Sequence, residues 1–342
     1  MKKLSFFNKF VFVINLVTGL LLLLACIVPY STSASFSFLS LGVPLLVIFN
    51  IAFFIYWLSK GKYLLWFSLI ILIIGYVSLG SFVQFHLGTD SLDNNQLKVM
   101  TYNAQGFSGY RDAIPKVATE QIADFIIAEN PDIICFQEYR RRINKTKVGD
   151  FYPYQYKDGG YDSKGSRIIQ AIYSKYPIIN EGVLEFPQSA NHAIYADIAL
   201  ESDTIRVYNL HLESLKIRPS MVKRERSDRL FKRLRNSFAK QHEQALIFRK
   251  NAEDCPYAKI VCVDLNNTQF SSAYRIIKGN MKDSFAEEGA GYGKTIHFWR
   301  FPFRIDFLLA DLELEVLSHK NYNIGLSDHE PVMASFKLSS KE

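Results

Sequence analysis

Two long stretches without charge open the chain. No Asp, Glu, Lys or Arg occurs from Phe10 to Ser59, and none from Tyr63 to Thr89. A helix needs roughly 20 apolar residues to cross a hydrocarbon core. The first stretch is too long for one crossing, and Pro29 with the Ser-rich run Ser31–Ser37 divides it. The pattern predicts three transmembrane helices, over about 10–29, 39–58 and 64–85. No A-x-A-like cleavage site follows the first and further apolar spans come next, which favours an anchor over a signal peptide. Residues 1–87 then form a membrane anchor, 88–96 a polar linker and 97–342 a separate domain.

Past the linker the apolar positions follow a shorter period. Leu97 to Asn103 alternates as a strand does. Val117, Ile122, Phe125 and Ile126 give Pro115 to Ala128 a helical face, which Asn130-Pro131-Asp132 ends. Ile133 to Phe136 is a short buried strand with Gln137-Glu138 at its end. Residues 139–167 are basic and rich in Tyr and Gly, so loop and strand edge. Ile168 to Tyr173 is a strand, and Ser174 to Ile178 turns out of it. Ile194 to Leu200 and Thr204 to Leu210 form a hairpin around Glu201-Ser202-Asp203, closed by His211. A long basic helix over Pro219 to Arg249 precedes a buried strand, Lys259 to Val263, that ends at Asp264. Phe270 to Ile277 reads as helix; Ile305 to Ala310, Leu314 to Leu317 and Val332 to Leu338 supply the last strands. Many short strands with few helices indicate an α+β sandwich, and composition does not choose among such folds.

Charge sharpens the division. The net charge of +7 splits into +4 over residues 1–90 and +3 over the rest. Lys216 to Lys250 hold twelve Lys and Arg against Glu225, Asp228 and Glu243, or +9, which leaves −6 for the remainder of the domain. An acidic remainder beside a basic patch suits a cation site. Lys2, Lys3 and Lys9 precede the first span, and Lys60 and Lys62 lie between the second and third. The positive-inside tendency keeps the N-terminus and that loop in the cytoplasm and puts the C-terminal domain of this cell-membrane protein on the non-cytoplasmic side. Cys26 lies in an apolar span, Cys135 and Cys262 in strand-like runs and Cys255 beside Pro256. They show neither metal-ligand spacing nor a disulfide framework.

The chemistry-bearing residues sit in short motifs at strand ends: Tyr102-Asn103, Gln137-Glu138, Asn209-Leu210-His211, Asp264-Leu265-Asn266, Arg304-Ile305-Asp306 and Ser327-Asp328-His329-Glu330-Pro331. Their joint order resembles the endonuclease/exonuclease/phosphatase family, across about Lys98 to Lys337. The resemblance implies a four-layer αββα sandwich of the deoxyribonuclease I type, and hydrolysis of phosphoesters with a divalent metal. Oxygen ligands without cysteine favour Mg²⁺, with Mn²⁺ or Ca²⁺ as alternatives, over Zn²⁺.

The resemblance assigns roles residue by residue. Glu138, Asn103 and Asp328 lie at the metal. Asp264 orients and deprotonates the attacking water, and Asn266 fixes the phosphate. Alternation would point residues 264 and 266 the same way from one extended backbone. Val263 and Leu265 replace the family's Gly and Phe, and the first change bears on how closely backbone approaches the site. His211 and His329 donate to the phosphate or the leaving oxygen from opposite sides, with Asp306 orienting His329. Tyr173 resembles a residue placed over the phosphate, although packing is the alternative among 19 tyrosines. His86, His192, His242, His297 and His319 match no motif.

The substrate stays open at this level. The basic stretch could follow a nucleic-acid backbone, meet anionic lipid heads or be a solvated helix face. Phe298, Trp299, Phe301 and Phe303 could stack bases, enter a membrane interface or pack the sheet. A membrane-anchored, nuclease-like phosphodiesterase leads, and a phospholipid head-group hydrolase comes second. A catalytically silent membrane receptor or adaptor is the reading of another class, and the filled motif positions speak against it.

Overall fold

The computed structural model describes residues 5–86, 96–110, 114–158, 169–201, 203–217, 226–297 and 303–338. Most of the expected linker, the start of the basic helix at Pro219 and the aromatics Phe298, Trp299 and Phe301 lie outside the described residues.

Three apolar helices come first: α1 (Phe6–Ile27), α2 (Leu39–Ser59) and α3 (Leu65–Leu79). Two of them, α1 and α2, are long and apolar enough to cross a membrane. The third expected span is shorter than its pattern suggested. It has 15 residues, a rise of about 22 Å, and stops where Gly80 takes a positive φ of 73°. Beyond it β1 (Gln84–Phe85) pairs with β11 (Ala290–Gly291) of the following domain instead of continuing the helix.

A polar knot joins the three helices. Asn15 of α1 accepts from Trp57 Nε1 of α2 (3.0 Å) and from Ser68 Oγ of α3 (3.1 Å), and its amide faces Asn50 Oδ1 at 3.5 Å. All four side chains are fully buried. Close approach at Gly19 completes the fit, since a Cβ there would stand 2.5 Å from Ile71 Cδ1. Among apolar helices such bonds and small residues replace the hydrophobic drive to associate.

The remainder is the expected four-layer αββα sandwich. One six-stranded sheet runs β13 (Leu314–Asn321), β14 (Val332–Leu338), β2 (Leu97–Asn103), β3 (Ile133–Gln137), β5 (Ala171–Ser174), β4 (Tyr154–Lys157). The other runs β10 (Lys282–Asp283), β12 (Asp306–Ala310), β9 (Ala258–Asp264), β8 (Thr204–His211), β7 (His192–Ala199), β6 (Ile178–Glu185). Each holds a single parallel pair, β2 with β3 and β8 with β9. Parallel neighbours need a crossover, and helices supply both. The helix Pro115–Glu129 bridges the first pair, and Ser227–Glu253 lies between the strands of the second. The first packs Ile122 and Ile126 on its sheet's outer face, the second Ala245 and Phe248 on the other. Val99, Ile133, Val207, Ile260 and Leu308 fill the space between the sheets.

One strand escapes the sequence pattern. Ile178–Glu185, of which the expected turn covered only Ile178, is an eight-residue edge strand that exposes Ile179, Asn180, Glu181 and Glu185. Tyr154–Lys157, within the stretch expected as loop and strand edge, is the opposite sheet's edge. Edge strands lack the buried alternation that identifies central ones. Cys135 and Cys262 are buried as free thiols.

Replacing Asn15 with Ala strands the Trp57 and Ser68 donors inside the helical bundle. The variant Asn15→Ala is expected to lose about 0.6–2 kcal/mol, read as a lower unfolding midpoint in detergent. Asn8→Ala, at the partly exposed Tyr56 contact, should cost less.

Candidate active site

Along each central strand, alternate side chains face the gap between the sheets. At one end of the sandwich those positions change character. On β2 they run Leu97, Val99, Thr101, Asn103; on β3, Ile133, Cys135, Gln137; on β8, Ile205, Val207, Asn209, His211; on β9, Ile260, Cys262, Asp264. Apolar residues fill one end, and amides, a carboxylate and an imidazole occupy the other. Register aligns them: Asn103 lies opposite Gln137, His211 opposite Asp264, and Asp306 of antiparallel β12 opposite Asp264.

A layer of amides underlies the site. Gln137 Nε2 donates to Thr101 Oγ1 (3.0 Å) and across the gap to Asn209 Oδ1 (2.7 Å). Asn209 Nδ2 donates to the carbonyls of Phe136 (2.9 Å) and Ala171 (3.1 Å). These bonds tie the two sheets together where the aliphatic core ends.

Asp264 is fully buried. It accepts from Asn103 Nδ2 at 2.8 Å and from the Asn266 backbone N–H at 2.9 Å, with His211 Nε2 at 3.4 Å. On its other side stands His329, whose Nε2 is 3.9 Å away. The second ring nitrogen of His329, Nδ1, donates to Asp306 at 2.9 Å. Burial opposes charge on this imidazole, but the carboxylates of Asp306 and Asp264 override it and raise its pKa well above the ordinary value. Burial also pushes the Asp306 carboxyl up to about 6, against the pull of His329. The shared proton belongs on His329, because a second carboxylate faces its other nitrogen.

The expected metal residues line one cleft of about 730 Å³ with the catalytic ones: Glu138, Asp328, His329 and Asn266. Asn103 adjoins them, its amide 3.4 Å from Glu138 Oε1. Glu138 and Asn266 both carry a left-handed backbone, with φ of 50° and 51°. That conformation costs a non-glycine residue about 1–2 kcal/mol, and such strain collects at functional sites. Oxygen donors dominate, and the four carboxylates of Glu138, Asp264, Asp306 and Asp328 exceed the cationic partners described beside them. Buried His211 Nδ1 also has no hydrogen-bond partner. This donor set fits a hard divalent cation with an anionic ligand. The tightest acid–histidine group is Asp264, Asp306 and His329, which differs from the trio expected at the metal.

Two expectations need correction. Asp264 and Asn266 do not project from one extended strand. The chain turns at Asp264, whose side chain caps the Asn266 N–H, and Asn266 Nδ2 donates to the Leu212 carbonyl at 3.1 Å. An Asx turn displaces alternation there. Tyr173 is not gathered into the cluster either. It faces the outer layer with Phe136, Tyr139 and Tyr152, and its hydroxyl meets Tyr139 at 3.0 Å and also donates to Asn144. On β5 it is Ile172 that faces the inter-sheet gap, so alternation turns Tyr173 away. Val263 likewise faces outward, and its replacement of Gly does not touch the cleft.

Several supports had no role assigned from sequence. Thr295 Oγ1 accepts the backbone N–H groups of Ile305 (3.0 Å) and Asp306 (3.1 Å), fixing the start of β12. Glu330 accepts from Ile324 (2.7 Å) and Gly325 (3.0 Å), and pairs with His297. It shapes the loop that presents Asp328 and His329. Arg304 forms a buried ion pair with Asp283 at 2.8 Å and donates to Gln269.

A family model described as the endonuclease/exonuclease/phosphatase family matches residues 100–329. The chain belongs to the endonuclease/exonuclease/phosphatase family. It is a hydrolase of phosphoester bonds. A model described as a domain of unknown function matches residues 8–82. No curated protein matches. Among solved structures, a family member from Beutenbergia cavernae is similar at a TM-score of 0.56 and 18% identity, over 71% of this chain and 72% of that one. A member from Bacteroides vulgatus gives 0.54 and 19%, over 71% and 99%. D. rerio TDP2 complexed with single strand DNA product gives 0.54 and 13%, over 71% and 99%. At these identities the likeness is one of fold.

Removing the Thr295 acceptor leaves two buried N–H groups unpaired at the start of β12. Thr295→Val is expected to lower kcat at least tenfold, from a cost of about 1–3 kcal/mol per unsatisfied group. Thr295→Ser should restore most of it. Steady-state kinetics on a soluble phosphodiester checks both.

Proposed function

We propose that this protein is a membrane-anchored, divalent-metal-dependent phosphodiesterase that uses direct attack of water, without a covalent intermediate. The observation that carries the reading is the arrangement around Asp264. One buried carboxylate is held by Asn103 and the Asn266 N–H, between His211 on one side and the His329–Asp306 pair on the other.

In this mechanism Asp264 takes the proton of the attacking water as its oxygen bonds to phosphorus. The ester P–O bond breaks, and His329 returns a proton to the leaving alkoxide from Nε2 while Asp306 holds Nδ1. His211 and Asn266 bind the phosphoryl oxygens. Glu138, Asp328 and Asn103 would hold a Mg²⁺ or Mn²⁺ ion, which would supply charge neutralisation for the phosphate. The DNA product bound to D. rerio TDP2 supports a diester as the substrate type.

The helical region supports anchoring. Val13, Val17, Leu20 and Leu24 of α1 and Ile51 and Ile55 of α2 are exposed, which a bilayer would cover. The C-terminus of α1, the N-terminus of α2 and the C-terminus of α3 meet the hydrolase domain, while Lys60 and Lys62 follow the far end of α2. The positive-inside tendency places the hydrolase domain on the non-cytoplasmic side. The adaptor reading predicts no turnover, whereas Asp264, His329, His211, Asn266 and Asp306 are all in place around the cleft.

The test uses the full chain in lipid nanodiscs with bis(p-nitrophenyl) phosphate. Hydrolysis is expected with Mg²⁺ or Mn²⁺, abolished by EDTA, and reduced about 10²–10⁴-fold in Asp264→Asn. Wild-type rates in that variant, or turnover indifferent to EDTA, would refute the mechanism.

A further inference from the structure

The turn that follows Asp264 is bonded to the apolar helices. Ser40, in the first turn of α2, donates to Asn267 Oδ1 at 3.2 Å, and its carbonyl accepts from Thr268 Oγ1 at 3.1 Å. Gln269 Nε2 donates to the Ser81 carbonyl at 2.9 Å, just past α3. Phe270 is buried among Leu22, Ala25, Val28 and Val43 of the helical bundle. Thus the residues that shape the site and the start of α2 form one unit.

The cleft reflects this. Leu41 and Leu45 of α2 line it together with Asp328, His329 and Glu138. The same two leucines line an adjoining cavity of about 70 Å³ that runs on to Pro44 and Ile48, against Phe82 and Phe270. The two spaces also share Thr268 and Phe303. Leu41 to Ile48 is a rise of about 10 Å along the helix, within the ~15 Å depth of one leaflet. Leu45 and Ile48 are 40% and 52% exposed, so the groove opens sideways to whatever surrounds α2.

We infer that this groove receives an acyl chain, and that the substrate is a glycerophospholipid entering from the bilayer with its phosphate at Asp264 and His329. The inference rests on the phosphodiesterase reading and narrows its substrate from nucleic acid to lipid. The helix side of the groove, Leu41, Pro44, Leu45 and Ile48, is aliphatic and continuous with an apolar helix, which matches a hydrocarbon chain, while Phe82, Phe270, Tyr292 and Phe303 line the facing side. The basic helix supports the same geometry. Its Phe231 meets Phe38, in the turn before α2, at a centroid distance of 5.9 Å, and the two residues are 46% and 40% exposed. Lys232 and Arg229 flank that contact in sequence, and Lys216 lines the cleft. Aromatic rings at the interface and cations above it are what an anionic membrane surface favours. The step is the hydrolysis already described: water supplies the new P–O bond, an ester P–O bond breaks, and the leaving alcohol takes the proton held by His329.

The test uses the full chain in detergent-free nanodiscs and two kinds of substrate. The first is a series of phosphatidylglycerols with butanoyl, hexanoyl and octanoyl chains, each kept below its critical micelle concentration. The second is bis(p-nitrophenyl) phosphate, with single-stranded DNA as a competitor. The inference expects kcat/KM to rise at least tenfold along the lipid series. Ile48→Trp, which fills the groove away from the cleft, should flatten that rise and lower the ratio of octanoyl-lipid to small-diester turnover at least fivefold. Small-diester hydrolysis with no dependence on acyl length, or with DNA cleaved in preference to lipid, overturns the lipid inference alone. Absence of metal-dependent turnover on every ester overturns the phosphodiesterase reading as well.

Discussion

A buried carboxylate sets the terms for this structure. Asp264 sits between two sheets whose facing positions are aliphatic up to the amide layer, and burying an unpaired charge is strongly unfavourable. Each neighbour answers that cost. Asn103 comes from the opposite sheet, the Asn266 N–H from a turn, and His211 from the parallel partner strand. His329 stands beyond, held by Asp306. The same groups that make the charge tolerable surround it with proton donors and oxygen ligands. Fold stability and chemistry therefore draw on one set of contacts. The amide layer of Gln137 and Asn209 marks the boundary, because it joins the sheets by hydrogen bonds where hydrophobic packing stops.

The topology explains why the polar positions converge. Each sheet contains one parallel pair, and the two strands of such a pair finish at the same end. β2 and β3 deliver Asn103 and Gln137 there; β8 and β9 deliver His211 and Asp264. An antiparallel pair would send its second strand end to the far side of the sandwich. β12 contributes by its beginning instead, which is why the anchoring of Ile305 and Asp306 on Thr295 matters. The start of a strand lacks the neighbours that hold its middle, and the buried hydroxyl supplies them.

Much of this was legible in the chain. Central strands announced themselves by buried alternation, and their ends carried the motif residues. Edge strands did not, since Ile178–Glu185 exposes half of its side chains and has no strong pattern. Two readings misled. Alternation projected Asn266 along an extended strand, where a side-chain cap turns the backbone left-handed. At β5 the motif resemblance carried Tyr173 to the phosphate, although parity with Ile172 turns it outward. Thr295 and Glu330 were not assigned roles because their work is done through backbone N–H groups distant in sequence or around a loop, which no local period records. The third apolar helix ends at Gly80, before the uncharged stretch does, because the chain leaves to pair with Ala290–Gly291.

The contacts of residues 267 to 270 change what the helical region means. A tether needs only length, and a flexible linker would leave the hydrolase domain free to tumble above it. Here Ser40 bonds the turn that begins three residues after Asp264, and Phe270 is buried in the helical core. The Asx turn that caps Asp264 and the docking of α2 are thus neighbouring parts of one short segment. Any displacement of α2 relative to the sheets must either break those bonds or move that segment. The helices consequently act as a wall of the cleft, through Leu41 and Leu45, as well as a support.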